Sequence, residues 1–166
     1  METRAALKSQ YHAALAMLRQ AIERCPDDLW TAGEHPRAFW RIAYHALFYT
    51  HLYLQPNHDA FRPWEEHRDD CQFLDAVPWP PHAQPPEVAP YAREQLLAYW
   101  RFCDEMIDAG VDRVDLDAPE SGFPWYRMPK LDHQMVNIRH IQQHVGQLAE
   151  RLIPAGADPD WIGSGP

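Results

Sequence analysis

The sequence predicts an all-α fold, a four-helix bundle interrupted by one long Pro-rich crossover. Apolar residues recur at helical spacing in four stretches, no β-rich run or internal repeat competes, and eight of the sixteen prolines fall between Pro56 and Pro90. From about Thr3 to Cys25, Leu7, Tyr11, Ala14, Leu18 and Ile22 mark the first helix, which Pro26 stops. A turn carrying Asp27, Asp28, Gly33 and Pro36 leads to a second helix from Arg37 to Gln55. Between Ala38 and Leu54 that helix has 13 apolar residues spread around its whole circumference, as expected of a helix surrounded by protein.

The crossover follows. Val77-Pro78-Trp79-Pro80-Pro81-His82 and Pro85-Pro86 lack backbone donors and hold the chain extended. A short helix is expected inside it, from about Pro63 to Ala76. A third helix is predicted from Glu87 to Ala109 with Gly110 as its C-terminal cap, and a fourth from Leu131 or Asp132 to just before Pro154, with Asp132 as the cap. Between them lies Ser121-Gly122-Phe123-Pro124-Trp125-Tyr126-Arg127-Met128-Pro129, aromatic enough to cover something. Trp79, Trp125 and Tyr126 read as loop anchors rather than pocket walls.

At 166 residues the chain fits one domain, 1–166, with 46% hydrophobic residues and a charged fraction of 23% that suits an ordered globular protein. Fifteen Lys and Arg against 24 Asp and Glu give a net charge of -9, which opposes contact with nucleic acid and anionic lipid. The most apolar segment, 38–54, falls short of a membrane span, and the N-terminus lacks a signal peptide's apolar core, so a cytoplasmic location is expected. Cys25, Cys71 and Cys103 have no C-x-x-C spacing and read as small buried hydrophobes in a reducing compartment. Nothing resembles a Gly-rich phosphate loop.

The chemistry concentrates in the histidines. His140 and His144, four apart on the fourth helix, lie within about 40° of each other and about 6 Å along the axis, close enough for two imidazoles to share one ion. On that helix His133, Asn137, His140 and His144 fill a stripe of about 0–60°, beside an apolar arc of about 80–220°. Such a stripe borders the core and suits an open cleft. His45, a polar ring inside an apolar helix, is the candidate third ligand, because an unpaired polar group there costs about 1–3 kcal/mol. His133 is a candidate for binding substrate or orienting water, and Asn137 and Gln147 for fixing imidazole tautomers. His51 lies about 240° around its helix from His45 and cannot join the same ion. His58, His67 and His82, in the crossover, read as surface residues.

His140 followed by His144-Val145-Gly146-Gln147-Leu148 resembles the closing helix of the DinB/YfiT-like metalloenzymes, and Tyr11-His12-Ala13-Ala14-Leu15 and His45 are similar to their first and second helices. The resemblance implies a bundle of up-down-down-up topology, often dimeric, with a divalent metal held by His45, His140 and His144. It also implies thiol-dependent transferase chemistry on a low-molecular-weight thiol. Ile141 stands where a zincin-type peptidase would carry its general-base Glu, and no paired Glu-x-x-His motifs of a di-iron bundle occur.

The residues leave three readings open. One is a zinc- or nickel-dependent hydrolase or thiol transferase acting on a small molecule. The second is a non-catalytic metal-binding bundle, and the third a metal-free interaction module.

Overall fold

The structure is a computed structural model and describes residues 2–166. Among them the chain is all-helical, with six α-helices and no strand: α1 (Thr3–Arg24), α2 (Asp27–Trp30), α3 (Phe39–Tyr53), α4 (Arg93–Glu105), α5 (Ile107–Arg113) and α6 (Lys130–Leu152). No helix among the described residues is long and apolar enough to cross a membrane.

α1 buries the five apolar positions that its periodicity marks, and Pro26 follows its last turn. The carbonyls that this end leaves unpaired are taken up by Arg93, whose guanidinium donates to Glu23 O at 3.1 Å and Cys25 O at 2.6 Å. The one-turn helix α2 occupies part of what the sequence reads as a plain turn. All three cysteines are buried and free.

α1 and α3 each pack on α4 and α6, so α1–α3 and α4–α6 are the diagonal pairs. Side-chain partners give the directions. Lys8 meets Asp112, His12 meets Asp104, and Trp100 Nε1 donates to Leu15 O at 2.8 Å, so α1 runs antiparallel to α4 and α5. Asn137 reaches Thr50 O and Gln134 reaches Tyr53 O, so α6 runs antiparallel to α3.

Two elements differ from the sequence reading. The third helix begins at Arg93 rather than Glu87, because Pro86 and Pro90 keep their predecessors extended and the side chain of Gln95 accepts the Ala92 N–H at 2.8 Å, fixing the first turn there. It also breaks at Met106. Gly110 lies inside α5 rather than capping a helix, and packs beside Leu54.

The helix expected from Pro63 to Ala76 is absent, and the segment is built of turns. Two of its carbonyls point elsewhere: Arg41, almost fully buried in α3, donates to Cys71 O at 3.0 Å and Asp70 O at 3.2 Å, and also to Pro86 O at 3.0 Å farther along the crossover. Asp70 sits at φ 59, which no helix interior accommodates. One buried guanidinium thus fastens the crossover to the core. The fourth helix starts at Lys130, and Asp132 lies in its first turn without capping it. Lys130 is buried and donates to Pro56 O at 2.8 Å and to Ser121 O, tying the 121–129 loop to the end of α3.

Candidate metal centre

His45 projects from α3, and His140 and His144 project from α6, the antiparallel neighbour. Each ring offers one nitrogen, and the three ligand atoms lie within 4.8 Å of one another. His140 Nε2 stands 3.0 Å from Nε2 of His45 and 3.0 Å from Nε2 of His144. A tetrahedral ion bound at about 2.0–2.1 Å holds neighbouring nitrogens about 3.3 Å apart, close to the 3.0 Å separations from His140.

The tautomers follow from the other ring nitrogens. His45 Nδ1 lies 2.5 Å from Gln72 O, and because a carbonyl only accepts, that nitrogen carries the proton. His144 Nδ1 lies 2.9 Å from Gln147 Oε1 and carries its proton for the same reason. The Nε2 atoms of His45 and His144 are therefore bare lone pairs aimed at His140 Nε2. A proton on His140 can satisfy only one of them, and His140 Nδ1 is itself buried without a partner. A cation satisfies all three nitrogens at once.

All three rings are neutral near neutral pH, the form that ligates metal. Burial, followed by the neighbouring His144 and His140, holds His45 well below its ordinary value. Burial and His144 push His140 down to about 3. Burial lowers His144 too, against the opposing bond to Gln147.

His45 and His140 open on a cleft of about 600 Å³ walled by Phe48, Tyr49, Phe61, Phe73, Trp79 and Trp125 among others. Trp79 and Trp125 are therefore pocket walls, contrary to the sequence reading; they are 49% and 51% exposed and stand at the mouth. Tyr126 also lines the cleft. A second depression, of about 760 Å³, is formed by the 119–129 loop itself and touches none of the three histidines.

Of the supporting residues predicted, Gln147 contacts one of the three clustered histidines and Asn137 does not. Asn137 is fully buried and donates to Thr50 O at 3.3 Å, with its Oδ1 unpartnered. His133 is enclosed by the rings of Tyr53 at 4.7 Å, Phe123 at 4.8 Å and Tyr126 at 5.3 Å, with no partner on either nitrogen. That full burial keeps it from the cleft, because the loop and α3 close over a stripe that a helix wheel alone leaves open. His51 is buried against Tyr99, away from the cluster, as the wheel predicts. His58 and His82 are exposed, whereas His67 is half-buried and lies 2.6 Å from Tyr44 Oη.

Sequence reasoning missed Tyr49 and Gln72. Tyr49 packs tilted against His45 and edge-on against His140, with ring centroids at 4.7 and 5.3 Å, and its position four residues after His45 was the available signal. Gln72 acts through its backbone from a non-helical segment and left no signal in the sequence.

Comparison of the chain with protein-family models, with curated proteins and with solved structures found no match.

Proposed function

We propose that this chain is a DinB/YfiT-like metalloenzyme, an up-down-down-up four-helix bundle that binds one zinc or nickel ion through His45, His140 and His144 and acts on a small molecule in the adjoining cleft. The observation that carries the reading is the convergence of two bare imidazole lone pairs on His140 Nε2, with both outer tautomers fixed by oxygen acceptors. The antiparallel pairs support the topology, together with the parallel run of α1 and α6, where Tyr11 Oη donates to Gln134 Oε1 at 2.9 Å and Gln142 Nε2 donates to Met17 Sδ at 3.6 Å. A divalent ion held by three neutral imidazoles keeps its full charge and supplies Lewis acidity that makes a bound water or thiol more acidic.

The protein supplies orientation and shelter. The Gln72 carbonyl and the Gln147 side chain hold two rings in place, and the aromatic walls limit water. No Asp or Glu lines the cleft, and His58 is the one lining imidazole outside the three-histidine group that offers a base to hydrolysis or thiol transfer. A purely structural zinc site closes with four protein ligands, and among the described residues this group has three.

Metal analysis after incubation with zinc and desalting tests the reading. About one ion per chain is expected for the wild type and for His82→Ala, an exposed control, and less than a tenth of that for His144→Ala and His45→Ala. Equal metal in all four proteins overturns it.

A further inference from the structure

The chain carries 15 Lys and Arg and 24 Asp and Glu, yet none of these 39 residues is among the fourteen that line the cleft beside His45 and His140. Eight of the fourteen are Phe, Tyr or Trp. The walls come from three separate segments: α3, the Pro-rich crossover and the 121–129 loop. Trp79 packs edge-on against Phe73 with ring centroids at 5.2 Å, while Trp125 donates to Tyr53 Oη at 3.2 Å. The two indoles therefore sit as anchored jaws at the mouth. Half-exposed tryptophans held this way are the apolar surface that a ligand would cover.

From these walls we infer that the ligand of the cleft is a neutral, largely apolar molecule with at least one ring or a comparable alkyl body, carrying a single polar head that reaches the histidines. A charged body leaves water for walls that offer no counter-charge, and a net charge of -9 further opposes an anion. The polar groups available are few. Gln72 lines the cleft, and its Oε1 is buried without a partner, an acceptor for one N–H or O–H of the ligand. The inference rests on the proposed metal site for its head group, and on the walls alone for its body.

Calorimetric titration of 2-phenylethanethiol and 3-mercaptopropanoate into cobalt-loaded and metal-stripped protein separates the two. On cobalt-loaded wild type, the phenyl thiol is expected to bind at least tenfold more tightly than the carboxylate thiol. Trp79→Ala and Trp125→Ala should each reduce that preference at least threefold while retaining cobalt. Equal affinities, tighter binding of the carboxylate thiol, or a preference unchanged in both variants overturns the inference and leaves the metal site standing. If the wild type takes up no cobalt, the metal reading falls. The metal-stripped protein then decides the body of the ligand: a preference for the phenyl thiol that both variants weaken upholds it, and no binding or no preference overturns it.

Discussion

His144 presents Nε2 to the cluster because Gln147, one helical turn on, occupies its other nitrogen. Partners of this kind fix both tautomer and ring orientation, and their loss typically weakens metal binding 10–100-fold. Gln147→Leu is expected to bind about one zinc per chain with an affinity lowered by about tenfold, read by competition with a chelating dye, while Gln147→Glu, still an acceptor, stays close to wild type. Equal affinity in Gln147→Leu would mean that helix packing alone orients the ring. The three candidate ligands were legible because each sits at a helical position whose neighbours are fixed by periodicity. His133 and Asn137 share the stripe with His140, so the wheel grouped them with it. What removes them from the cleft is the closure of Tyr53, Phe123 and Tyr126 over His133 and the pull of the Thr50 carbonyl on Asn137, both tertiary facts that no spacing within α6 encodes.

At the scale of elements, the long helices of the bundle were legible, whereas the start and break of the third and the non-helical build of 63–76 were not. The apolar rows of α1 and α3 placed those helices within a few residues, but the start of α4 depends on Gln95 reaching back to Ala92, and the loss of helix from 63 to 76 depends on Arg41 drawing carbonyls across from another element. Two glycines sharpen the difference between local and tertiary causes. Gly146 lies within α6, and a Cβ there would meet nothing within 4 Å, so Gly146→Ala should stabilise the protein by up to about 1 kcal/mol through helix propensity without altering metal content. Gly122 sits at φ +83, and its Cβ would lie 2.5 Å from Pro56 O. Gly122→Ala should cost about 2 kcal/mol and loosen the loop that carries Trp125. Urea unfolding of the two variants checks both signs. Destabilisation by Gly146→Ala would show that the glycine of the His-Val-Gly-Gln-Leu run serves packing after all.

Across the whole molecule, two histidines outside the three-histidine group tie folding to pH. Burial pushes His51 down to about 4, with Tyr99 Oη at 3.1 Å from its Nδ1. Burial, aided by the nearby Lys130, also pushes His133 down to about 4. Unfolded, both rings protonate near the ordinary value of about 6.5, so between about pH 6.5 and 4 the unfolded chain binds about two more protons at these sites than the folded one. Acid therefore favours unfolding. The stability that these neutral rings preserve above pH 6.5 is lost as pH falls, at about 2.4 kcal/mol per pH unit near pH 5. His133→Phe isolates one of them: its neighbours are three aromatic rings, and neither imidazole nitrogen has a partner to lose. The variant is expected to be at least as stable as wild type at pH 7. Between pH 6 and 5 its stability should fall less steeply, by about one proton's worth or about 1.4 kcal/mol per unit, in urea titrations of metal-stripped protein. An unchanged slope would mean that His133 titrates alike in both states, and so that the aromatic enclosure opens to water before the rest of the fold gives way.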